Sequence, residues 1–337
     1  MIQLNSRRRF LRCAAVGLLV IHARAFAQAQ GKVYRIGYLN LRAGPGAFDD
    51  AFVRGMHERG YVVGRNLVIE YRWAGGDMQR LQMQADELAR LNVDVIVTAA
   101  IPSISAAMRA TSTIPIVMTA VADPVGIGLV TSLGRPGGNV TGMTLQSTDL
   151  AQKRLQLMRD IIPGVTLIAI LTMRVPDTAS DQNRQPERLL LAEMQAAAKQ
   201  MGISLVTRAI ASADELPEVL AQFRRERAQA VFVQANPLSL QHRSKIAELT
   251  TLQRLPAMYE IRDFVDDGGL VSYGPDLQDM YRRAARYVDL IFKGAKPGEL
   301  AIEQPTKLEL VINLKAAKAL GVKIPQSVLL RADRLIE

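Results

Sequence analysis

Along most of the chain, short apolar runs alternate with longer stretches whose apolar positions recur every three or four residues. The first pattern suits a strand and the second an amphipathic helix. Residues 33–39 read as a strand, followed by a helical stretch over 48–59 that stops at Gly60. A second strand is expected over 67–73 and a helix over 78–91. Residues 94–98 form a continuous apolar run, the pattern of a strand buried on both faces of a parallel sheet. A helix over 103–111 and a strand over 114–118 complete this first set.

The same order then returns. Strands expected at 167–171, 203–206, 230–234 and 255–259 are separated by helices at 187–201, 214–227 and 240–252. Corresponding strands lie about 132 to 141 residues apart. Strands alternating with helices imply βαβ units with right-handed crossovers. Two consecutive sets imply an α/β fold of two doubly wound, parallel-sheet lobes. In such sheets a ligand sits outside the C-terminal ends of the strands. Two lobes facing each other at those ends enclose one cleft, which suits hinge closure around a small molecule.

The N-terminus has a different pattern. Ser6-Arg7-Arg8-Arg9-Phe10-Leu11-Arg12 precedes the apolar run Cys13 to Ile21, which is too short to span a bilayer. Ala25-Phe26-Ala27 then gives the small-x-small pattern of a cleavage site, with Gln28 as the expected mature start. The paired arginines fit a twin-arginine signal. Residues 1–27 are therefore expected to be a signal peptide, cleaved near Ala27, and the product to be periplasmic.

Removing that segment changes the charge. It holds five arginines and no acidic residue, so a net charge of +10 falls to +5 for the remainder. That excess is spread along the chain, unlike the clustered basic and aromatic footprint of a nucleic-acid binder. The single cysteine, Cys13, leaves with the signal, and only His57 and His242 remain, far apart in sequence. Neither a thiol chemistry nor a cysteine- or histidine-based metal site is expected.

Enzyme motifs are missing as well. Gly126-Ile127-Gly128 starts like a dinucleotide fingerprint, but Thr131 stands in the third glycine's place. There is no phosphate-loop lysine motif, no Gly-x-Ser-x-Gly elbow and no HExxH. Asp49-Asp50 and Asp266-Asp267 read as solvent-facing turns or helix starts. No catalytic residue, cofactor or metal is expected.

What remains are small or polar residues just past the expected strand ends. In the first lobe these are Asn40, then Thr98, Ala99, Pro102 and Ser103, then Ala122 and Asp123. Ser103 is placed either as an ordinary helix cap or beside a helix start that seats a carboxylate. Asp123 either pairs with a ligand amino group or marks an Asp-Pro turn. The second lobe offers Thr172, Gln234, Asn236 and Tyr259, the last followed by Glu260. The Asn236 amide both donates and accepts, which suits a polar ligand. Tyr259 and Tyr273 fall where the chain returns towards the cleft, whereas Trp73 reads as core or rim. These groups favour an amino-acid-like or small carboxylate ligand.

Four stretches carry a family resemblance: RIGYL at 35–39, IPIVMTAVADPVGIGLVTSLGRPGGNVTG at 114–142, LPAMYEIRDFVDDGGLVSYGPDLQDMYRRAARYVDLIFKG at 255–294, and GAKPGELAIEQPTKLELVINLKAAKALGVKIP at 294–325. The chain resembles the substrate-binding proteins of ABC transporters with the type I periplasmic binding protein fold, a group that includes tryptophan-binding relatives. The resemblance implies a three-segment hinge, with crossovers near 145–150, 271–275 and 301–306. It divides the chain into one lobe of 33–147 plus 274–301 and another of 148–273 plus 302–333. It adds Tyr273, Gly274 and Asp276 at the hinge to the cleft residues above. The implied partners are a small-molecule ligand and a permease with its ATPase; the protein itself is then a monomer that meets the membrane only through the permease. Two cleft loops depart from the family pattern: Thr172-Met173-Arg174-Val175-Pro176 replaces a Trp-Asn-Pro-like loop, and Ala99-Ala100-Ile101-Pro102 replaces a Gly-Thr-Pro-like turn. A sensor that presents its closed form to a receptor, or an enzyme on the same scaffold, remain alternatives to uptake.

Overall fold

In a computed structural model, residues 32–145, 150–174 and 181–337 are described. The expected signal peptide and the interior of the first crossover lie outside them. The first sheet is built from β1 (Tyr34–Asn40), β2 (Leu67–Trp73), β3 (Val95–Thr98), β4 (Ile116–Met118) and β5 (Val140–Gly142). All its neighbours are parallel, in the order β2-β1-β3-β4-β5. Three helices supply the crossovers: α1 (Ala47–His57), α2 (Met78–Arg90) and α3 (Ile101–Ala110). Every residue of β3, β4 and β5 is buried, as a parallel sheet covered on both faces requires.

The second unit repeats the plan. It holds α4 (Ala151–Ile161), β6 (Leu167–Met173), α5 (Asp181–Met201), β7 (Ser204–Ile210), α6 (Leu216–Arg225) and β8 (Ala230–Val233). These are followed by α7 (Pro237–Gln241), α8 (Arg243–Leu252), β9 (Ala257–Tyr259), α9 (Asp263–Asp266) and β10 (Val271–Pro275). Its strand order from one edge is β7-β6-β8-β9-β10, the first sheet's order moved on by five strands. The repeat read in the sequence is thus a repeat of topology. Two further strands, β11 (Leu308–Asn313) and β12 (Arg334–Ile336), extend the sheet, and β11 runs antiparallel to β10.

Between β10 and β11 the chain goes back to the first unit. There α10 (Leu277–Phe292), begun by Asp276 accepting the Asp279 N–H, lies against α1. The approach is close enough that a Cβ on Gly55 would stand 2.2 Å from the Arg282 carbonyl oxygen. At the far end the Phe292 ring stacks on Tyr34 at 4.0 Å, and the Tyr61 hydroxyl donates to Asp289 at 2.9 Å. Residues 300–303 then run beside β5: the Thr141 hydroxyl donates to the Leu300 carbonyl, and the Thr144 N–H to that of Glu303. The chain returns to the second sheet at β11, and α11 (Leu314–Leu320) and α12 (Gln326–Leu329) follow it, packing on that unit's core before β12.

Candidate functional site

The C-terminal ends of both sheets open onto one cavity of about 360 Å³. Its lining is mostly apolar, as small-molecule sites are. Of the residues expected at the cleft, Asn40, Ala99, Pro102, Ala122, Gln234 and Asn236 line it. Thr98, Ser103 and Thr172 are buried just behind that lining. The Thr172 hydroxyl donates to Glu187, a residue of the cavity lining. The remaining expected residues lie elsewhere. Asp123 closes a turn, accepting the Gly126 N–H at 2.9 Å. Tyr259 is packed in the core, stacked on Phe264 and hydrogen-bonded to Thr250. Tyr273, Gly274 and Asp276 line the crossover and not the cavity.

On the first-sheet side, Asn40 ends β1 and is 3% exposed. Its Oδ1 accepts the Arg42 backbone N–H at 3.1 Å, which fixes the amide. Its Nδ2 makes no hydrogen bond of good geometry within the protein; the Tyr281 phenol is the group it lies against, and a further acceptor would satisfy it. Beside it begins α3, whose first N–H groups have no intrahelical acceptor. The helix starts at Ile101, so Ser103 belongs to its first turn and is not its cap. The residue that precedes the helix, Ala100, has φ 61° and ψ 150°, a conformation strained for any side chain and at home in glycine.

The same wall holds an ion pair that the reading of Asp49 as solvent-facing did not anticipate. Asp49 does start α1, but it is buried, because Tyr38, Arg42 and the Gly46 N–H all donate to its carboxylate. Arg42 lines the cavity with its guanidinium 5.4 Å from the Trp73 ring. Phe48 and Tyr281 complete this side.

On the second-sheet side the polar groups are Gln234, Asn236, Gln241, Arg154, Arg174, Glu187 and Glu260. Asn236 caps α7, its Oδ1 accepting the Ser239 N–H at 2.8 Å. Arg154 donates to Glu260 at 2.8 Å, and the two side chains are 1% and 6% exposed. The other Glu260 oxygen accepts the Ala235 N–H at 2.7 Å. Burial pushes the Glu260 carboxyl up from its ordinary value, against the pull of the Arg154 charge and the Ala235 N–H. Burial likewise lowers Arg154. Glu260 stands directly after β9, where the sequence places it beside Tyr259, and Arg42 lies two residues past the end of β1, one step beyond the strand-end rule. Nothing in the local sequence marks Arg154, which reaches the cavity from the first turn of α4. Among the described residues no cluster of potential metal ligands occurs, and no helix is long and apolar enough to cross a membrane.

Comparison with known proteins agrees with this layout. A Clostridioides difficile protein named tyrosine-binding protein is 26% identical over 81% of this chain and 76% of its own. A conserved domain protein from Vibrio cholerae superposes with a TM-score of 0.81 at 28% identity, over 90% of this chain and 100% of that one. A Streptococcus pneumoniae ABC domain solved with L-Trp gives 0.79 at 26% identity, over 90% and 99%. The family model for ABC transporter substrate binding proteins matches residues 46–336, and the chain belongs to that family.

Proposed function

We propose that this chain is an extracytoplasmic solute-binding protein that captures an amino acid with a large apolar or aromatic side chain. The lobes, 33–147 with 274–301 and 148–273 with 302–333, close around the ligand and present it to a permease driven by its ATPase. Residues 1–27 export it. The observation that carries the ligand class is the buried Nδ2 of Asn40, without a hydrogen bond of good geometry, beside the start of α3. An amide donor and free helix N–H groups together suit a carboxylate. Across the cavity Glu260 and Glu187 face an ammonium group, and the apolar lining takes the side chain. Relatives named for tyrosine and solved with tryptophan support the same class.

A thermal-shift and calorimetry panel of amino acids, nucleobases, sugars and small aromatic acids tests this. Ligand at about 100 times its Kd should stabilise the protein by about 2.7 kcal/mol, and no compound should be consumed. Stabilisation by sugars alone, or turnover of a ligand, would refute it.

A further inference from the structure

The Arg154–Glu260 pair touches more than the cavity. The Arg154 Nε donates to the Tyr273 carbonyl at 2.9 Å, on the strand from which the chain leaves the second sheet. The next residue, Gly274, lies so close that a Cβ there would stand 1.9 Å from the Glu260 carbonyl oxygen and 3.2 Å from an Arg154 nitrogen. Arg154 itself sits in the first turn of α4, just after the first crossover. Two residues past Glu260, the Arg262 guanidinium reaches Asp276, at the start of α10, and Glu309, at the start of β11. The segment from Glu260 to Arg262 therefore meets groups beside all three chain crossings, while Glu260 and Ile261 line the cavity.

We propose that Arg154 and Glu260 form a ligand-responsive bolt on the hinge. Glu260 is the ligand contact. Arg154 is a positioning residue that holds this carboxylate at the cavity and the Tyr273 carbonyl at the crossover with one guanidinium. When a ligand cation shares the Glu260 charge, Arg154 shifts its hold between carboxylate and carbonyl, so occupancy is felt at β10. The inference rests on the amino-acid reading only for the cation; the coupling itself is a property of the ligand-free protein.

Hydrogen exchange read by mass spectrometry separates the two. In ligand-free protein, Glu260→Gln should speed exchange of the amides from Ser272 to Gly274 by about fivefold, with β1 unchanged. Arg154→Lys, which keeps the charge but not the fork, should speed the same amides, and less than Arg154→Met does. Saturating L-tryptophan should alter their exchange in the wild type and leave it unaltered in Glu260→Gln. A uniform rise across both sheets, or no change at β10 in either folded variant, would overturn the bolt. If the variants behave as stated while the wild type answers no amino acid, the coupling stands and the ligand class fails.

Discussion

The Arg42 guanidinium meets the Asp49 carboxylate at 2.8 Å, at the edge of the cavity and with both side chains largely withdrawn from water. Tyr38 donates to the same carboxylate at 2.6 Å, so one buried anion is held by a cation, a phenol and a backbone N–H. Breaking a buried pair leaves an uncompensated charge. Asp49→Asn should cost about 3 kcal/mol in urea unfolding, with part of the loss recovered when Arg42→Met is added. A double-mutant cycle gives the pair's coupling directly.

Asn40→Asp tests the ligand's carboxylate. The substitution keeps the oxygen that accepts the Arg42 N–H and replaces the Nδ2 donor with a negative oxygen. Affinity for an amino acid should fall by roughly 10- to 100-fold by calorimetry, the equivalent of about 1.5–3 kcal/mol for a charge-assisted hydrogen bond. Unaltered affinity would move the carboxylate elsewhere.

Ala100 stores backbone strain where the first sheet meets the cavity. Glycine adopts that conformation freely, so Ala100→Gly should raise stability by about 1 kcal/mol in chemical denaturation. An affinity held within about twofold would show that the strain is not used in binding.

The first turns of α5 cross to the other unit: Gln185 donates to the Gly126 carbonyl at 3.0 Å, and Leu189 packs against the first sheet's core cluster. These contacts join the two units. Leu189→Ala should raise the ligand dissociation rate in stopped-flow displacement by about tenfold and affect association less.

Six of the eight tyrosines, Tyr38, Tyr61, Tyr71, Tyr259, Tyr281 and Tyr287, have phenols raised above their ordinary value, in each case chiefly by burial. A folded value above the unfolded one means the native state keeps protons that the unfolded state loses. Their contribution is complete below about pH 10 and is lost as pH rises beyond it. Urea midpoints should fall as pH rises from about 10 to 11.5, and the tyrosinate absorbance of these six should appear together with unfolding. A smooth titration well before unfolding would contradict the burial.

Much of the architecture is legible in the chain itself. Apolar runs at constant offset predict β1 to β4 and β6 to β9 because a parallel strand must be apolar on both faces wherever helices cover it. The strands β5 and β10 to β12 and the helix α10 escape that reading. The β10–β11 pair and the α10–α1 contact span chain crossings, and Tyr61 meets Asp289 over 228 positions that no local window spans.

The site divides in the same way. Sequence by itself determined that two α/β units would present polar loops to one cleft, since strand direction decides which loops share an end. It placed Asn40, Gln234 and Asn236 there, and Ala99 and Pro102 beside them. Only the tertiary structure decided that Tyr259 points into the core, that Asp49 turns inward to hold Arg42, and that Arg154 and Glu260 meet beneath the cavity. Those are pairings of charges and rings over long separations, and their partners exist only once the sheets and crossings have packed.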